Sequence, residues 1–127
     1  MRLHGNRSVT LAVEVPPALR ETPVRGTPVL FVEARALRNP RGARVYVEMC
    51  IVGADGREHE AGSFTFFGMT READKQAFAL PLDEPAQLEA LAVSEAAQVR
   101  AAMKPFGAET GDVSDVRVEL RVWIEVR

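Results

Sequence analysis

The sequence is short of the residues that most catalytic and cross-linked proteins rely on. It has one cysteine, Cys50, so no internal disulfide can form. It has two histidines, His4 and His59, far apart in the chain. Neither a triad built on a local histidine cluster nor a three-histidine metal site can come from one such chain. Tryptophan and tyrosine occur once each, and aromatic residues make up only 6% of the whole. No apolar run approaches the roughly 18 residues that would suggest a membrane span. Met1-Arg2-Leu3-His4-Gly5 leads into no apolar stretch of the kind a secretory signal carries. Basic excess is absent too: the net charge is -2, which argues against a nucleic-acid surface. Phosphate-binding glycine loops and a Gly-x-Ser-x-Gly elbow are missing, and Gly62-Ser63 has no base nearby in sequence.

What remains is an ordinary globular composition, 46% hydrophobic and 27% charged over 127 residues. That length suits a single domain over 1–127 with a core of its own. The cysteine usage fits a reducing, cytoplasmic setting, unless the chain is part of a longer exported protein.

The pattern along the chain is dominated by a period of two. Val116, Val118, Leu120, Val122, Ile124 and Val126 alternate with charged residues and Trp123, as in a half-buried strand. The even-numbered set is expected to be core. Val9, Leu11, Val13 and Val15 repeat the pattern, and Val29 to Leu37 follows a loop broken by prolines. Val45, Val47, Met49 and Ile51 begin a hairpin that turns at Asp55-Gly56 and returns over about His59 to Phe67. Phe78, Leu80 and Leu82 mark a further strand. Residues 84–104 read two ways. Propensity favours one helix from Glu84 to Met103, starting at Pro85; the alternative is a short helix ending near Ala92 and then a strand. The N-terminus before Ser8 is expected to fray. Closely spaced strands with turns between them predict a mostly-β fold, a sandwich or a barrel.

Few groups could carry chemistry. Met49, Cys50, Met69 and His59 form the one set of soft ligands, suited to Cu(I). Met49 and Cys50 are strand neighbours, however, and point to opposite faces. Cys50, His59 and Met69 are thus the candidates for metal, and a core or surface role is the expected one for each. Glu58/Glu60 and Asp112/Asp115 are paired carboxylates, expected to be solvated rather than catalytic. The run Phe64-Thr65-Phe66-Phe67 is different: in a strand Phe64 and Phe66 share one face and Phe67 takes the other, so an aromatic can protrude near Gly68-Met69, where aromatics anchor interfaces.

Glu60-Ala61-Gly62-Ser63-Phe64 resembles the Glu-Phe-Ala-Gly-Ser-Phe stretch in the C-terminal domain of plant polyphenol oxidases and related tyrosinases. Val13-Glu14-Val15-Pro16, Val29 to Glu33, Val45-Tyr46-Val47, Val99 to Gly107 and Val118 to Val126 are similar to that domain in order and spacing. Gly42-Ala43-Arg44-Val45 stands where the domain has its Lys-Phe-Asp-Val tetrad, so only the valine is retained. The resemblance implies a β-sandwich packed over a di-copper centre that another domain carries, in cis or in trans. It implies a shielding or maturation role without catalysis, no cofactor in this chain, and a partner interface at Phe66, Phe67 and Met69. It also favours the short helix followed by a strand in 84–104, and with it an all-β fold, a mostly antiparallel sandwich of about seven strands with one short helix. A copper carrier and a small-ligand-binding sandwich are the alternatives.

Overall fold

A computed structural model describes the chain except for residues 21–25, 67, 68, 70, 93, 94 and 108–110. Among the described residues, eight strands and one α-helix follow one another: β1 (Arg2–His4), β2 (Ser8–Glu14), β3 (Pro28–Arg38), β4 (Val45–Val52), β5 (Glu58–Thr65), β6 (Lys75–Pro81), α1 (Pro85–Ala92), β7 (Ala96–Pro105) and β8 (Arg117–Val126). They form two four-stranded sheets, ordered β1-β8-β3-β6 and β2-β7-β4-β5, in which every strand pair is antiparallel.

The period of two becomes the core directly. Val118, Leu120 and Ile124 of β8 are buried, as are Leu30 and Ala34 of β3, in register with Ile124 and Leu120, and Val32 between them. From the other sheet Val47, Met49 and Ile51 of β4 and Val99, Ala101 and Met103 of β7 are buried in the same cluster. Inner faces of two sheets interdigitating in this way are what holds an antiparallel sandwich together. The hairpin turns as its sequence requires: Gly56 has φ +80, and Asp55 accepts a hydrogen bond from the Arg57 amide at 3.0 Å.

The ambiguous segment resolves into α1 and β7. Pro85 occupies the first helical position. Gln87 accepts a hydrogen bond from the Glu84 amide at 3.1 Å and donates one to the Glu60 carbonyl at 2.7 Å, which caps the helix and ties it to β5. β7 then runs between β2 and β4, so both its edges are paired.

One expectation needs correction. The N-terminus does not fray: β1 pairs with β8 over Arg2–His4, and Leu3 is fully buried. One apolar side chain and a ladder are enough to dock three residues whose sequence shows no periodicity. β1 is also the strand that raises the count from about seven to eight.

Candidate functional site

At one end of the sandwich the β3–β4 connection, the end of β5 and the residue after β7 surround an apolar cavity of about 560 Å³. Phe106 stands at its rim and is the one large hydrophobic residue exposed among those described, at 57%. Its ring meets Tyr46 edge-on at 6.0 Å, and its amide donates to the Arg44 carbonyl at 2.8 Å. These contacts fix the position of a ring that is more than half exposed.

The predicted interface residues divide here. Phe66 lines the cavity and is half-buried, edge-on to Phe64 at 5.8 Å; Phe64 in turn stacks on Phe78 at 4.2 Å. Met69 is only 7% exposed, because its amide bonds back to the Phe66 carbonyl at 3.0 Å and the turn carries its side chain inward. It forms part of the floor, not the rim. Phe67 lies outside the described residues. Sequence reasoning did not single out Phe106 as a surface anchor. Its one signal was position, an aromatic between Pro105 and Gly107 where a strand ends.

The frame of the cavity is polar and stiff. Asn39 donates to the Ala43 carbonyl at 2.8 Å and accepts from the Ala43 amide at 2.9 Å. Arg41 reaches the other connection: it donates to both Asp115 oxygens, at 2.8 and 3.1 Å, and to the Asp112 carbonyl at 2.8 Å. The Arg41 guanidinium holds the Asp115 carboxyl below the usual aspartate range. The Ser114 amide and hydroxyl, donating to Asp112, do the same there.

The soft-ligand set is not assembled. Cys50 lies in register with Arg100 on the outer face of its sheet, whereas His59 is in register with the inward-facing Ile51. Met69 follows β5 at the far end from His59. Among the described residues no group of three His, Cys, Asp or Glu could hold a metal. The Cys50 thiol is buried, and burial pushes its pKa up, with Glu48 adding to the effect. The paired carboxylates are tied to cations, Glu58 to Arg100 and Asp115 to Arg41. No helix among the described residues is long and apolar enough to cross a membrane.

By sequence, no protein family and no curated protein matches the chain. By structure, a latent aurone synthase (polyphenol oxidase) from natural source matches at a TM-score of 0.65 and 14% identity, over 99% of this chain and 25% of that one. The recombinantly expressed latent aurone synthase matches at 0.62 and 16%, with the same coverage. A latent apple tyrosinase matches at 0.58 and 15%, over 98% of this chain and 27% of its own. The chain therefore has the fold of a part of these enzymes, and spans about a quarter of their length.

Proposed function

We propose, from a fold shared along its whole length with about a quarter of each of those latent oxidases, that this chain is a non-catalytic accessory domain for a tyrosinase-like di-copper enzyme. It is joined to the enzyme in cis or meets it in trans, and covers the copper site or assists its maturation. The coverage carries the reading: nearly all of this chain corresponds to about a quarter of proteins whose description as latent fits a domain that withholds activity. The two histidines are consistent with it, since a di-copper pair that relies on imidazole ligands needs more than two and must be supplied by the partner.

The working surface is the apolar mouth, with Phe106 at the rim, Phe66 in the wall and Met69 in the floor. Phenolic substrate sites are apolar, and an apolar projection can occupy one without reacting. The occupant of this mouth is accordingly the rim of a phenol-binding site on the di-copper domain. The test is to mix the chain with a di-copper domain expressed alone and to follow monophenol and diphenol turnover. Lowered turnover that Phe106→Ser restores supports the proposal. Unchanged turnover without detectable binding overturns it, and tight Cu(I) uptake by the chain alone would assign it to copper carriage instead.

A further inference from the structure

The outer face of the β1-β8-β3 ladder carries two consecutive rows of side chains. In the first, Glu119 of β8 stands in register between Arg2 of β1 and Arg35 of β3. Its carboxylate lies 3.7 Å from the Arg2 guanidinium and 3.4 Å from that of Arg35. In the next row Arg117 takes the central place, in register between His4 and Arg38. The layout repeats, but the acid is gone. Like charges opposite one another weaken a ladder, and neither Arg38 nor Arg117 forms an ion pair among the described residues.

This row is built by a specific irregularity. Between Arg35 and Arg38 the register with β8 shifts. A regular strand would bring Leu37 opposite Arg117. The shift brings Arg38 there instead and turns Leu37 inward, where it is 9% exposed. Ala36 makes the shift by adopting φ +53, a left-handed conformation that an L-residue holds only when its surroundings fix it. Bulges of this kind re-aim a side chain, and here the side chain re-aimed is a guanidinium.

Clefts of about 530 and 210 Å³ open beside the row, and both are lined by His4, Arg38, Arg117 and Glu72. The other acids on their walls are engaged: Asp115 with Arg41, and Glu119 with Arg2 and Arg35. Glu72 is the one acid there without an ion pair among the described residues, and it leaves the two guanidiniums in excess.

We infer that Arg38, Arg117 and His4 form a binding site for a small phosphate-type oxyanion, which occupies in this row the place the Glu119 carboxylate occupies in the row beside it. Guanidinium forks match tetrahedral oxyanions through paired, charge-assisted hydrogen bonds, and the imidazole supplies a further donor. The inference stands on this face alone and does not depend on the accessory role.

The experiment titrates the full chain with inorganic phosphate at constant ionic strength and follows the arginine Nε–H signals by NMR. The expected result is a saturable shift at Arg38 and Arg117 with a roughly millimolar Kd, as suits an exposed site. Arg57, in the β4–β5 turn, is the control and should not saturate. Glu72→Gln should tighten binding by about threefold, because it removes a like charge from the site. Arg117→Glu should abolish saturation and raise the thermal midpoint, since it gives this row the charge order of its neighbour. If Arg117→Glu does not fold, Arg38→Gln serves in its place and should weaken binding by about tenfold. A linear drift equal at Arg57, binding unchanged in these variants, or equally tight binding of acetate would overturn the assignment.

Discussion

Gly62 of β5 lies against Leu80 of β6, so closely that a β-carbon on the glycine would sit 3.0 Å from Leu80 Cδ2. The two strands belong to different sheets, and each is the edge of its own. Gly62 has φ +149, at a register shift where Met49 pairs with Gly62 and Cys50 with Glu60. The Ala61-Gly62-Ser63-Phe64 stretch, the sharpest point of likeness in the sequence, thus has a structural reason: it brings the two edges together and turns Phe64 onto Phe78.

Gly62→Ala should therefore destabilise the fold by roughly 1–3 kcal/mol, combining a backbone conformation that side chains resist with contact at Leu80. Gly56→Ala is the matched control. Gly56 also has positive φ, +80, but nothing lies within 4 Å of an added β-carbon. Its cost should be the smaller of the two in urea unfolding. Equal costs would show that the closure at Leu80 contributes nothing.

Leu120→Ala should cost about 2–4 kcal/mol, as large-to-small changes in a packed core do. Leu120 is 3% exposed and pairs with Ala34 between the buried Val118 and the half-buried Val122. Trp123, the single tryptophan, stacks on Phe31 at 5.6 Å on the opposite face and reports unfolding without being part of the change. A loss under about 0.5 kcal/mol would mean that β8 is peripheral to the core.

β8 was the most legible element because every second residue packs in or against the core, so periodicity alone describes it. β7 was the least legible. Ala96 to Met103 is rich in residues that favour helices, yet the segment pairs along both edges, with β2 and with β4. Two backbone ladders outweigh a propensity difference of a few tenths of a kcal/mol per residue. β1 was invisible for a different reason: a three-residue strand with one inward side chain, Leu3, has no period to read. At the candidate site, alternation drew attention to the aromatics around Phe66, which lines the cavity. It did not give the turn by which the Met69 amide bonds back to the Phe66 carbonyl, nor that Phe106 would emerge beside Tyr46, a contact distant in sequence.

Asp115 should titrate below the ordinary aspartate value of about 3.9, because the Arg41 hydrogen bonds favour its charged form. The sign follows from a folded pKa beneath the unfolded one. The tie between the two loops is complete above the unfolded value, and is lost as pH falls through the folded one. Carboxyl carbon shifts measured from pH 6 downward should show this, and Arg41→Gln should return Asp115 toward the ordinary value. Asp112 should move less in that variant, since its depression comes first from the Ser114 amide. An Asp115 midpoint at or above the ordinary value would show that the Arg41 contact does not persist in solution.

Phe106 should separate folding from recognition. At 57% exposure it contributes little burial, and its ring meets Tyr46 edge-on at 6.0 Å, so Phe106→Ser should change stability by less than about 1 kcal/mol. Phe66→Ser should cost more, because that ring is half-buried against Phe64. If the apolar mouth meets a di-copper domain, the order reverses for binding. Interface energy concentrates in aromatic anchors at the centre of a patch, so Phe106→Ser should weaken inhibition by about tenfold or more while the variant melts like the parent. Arg57→Ser, in a turn of the same sandwich away from the mouth, should leave inhibition unchanged. Measuring melting and inhibition on these three variants distinguishes an interface from a loss of fold. If inhibition falls only in proportion to stability, the mouth is a feature of packing, and the contact with the enzyme must be sought on another face.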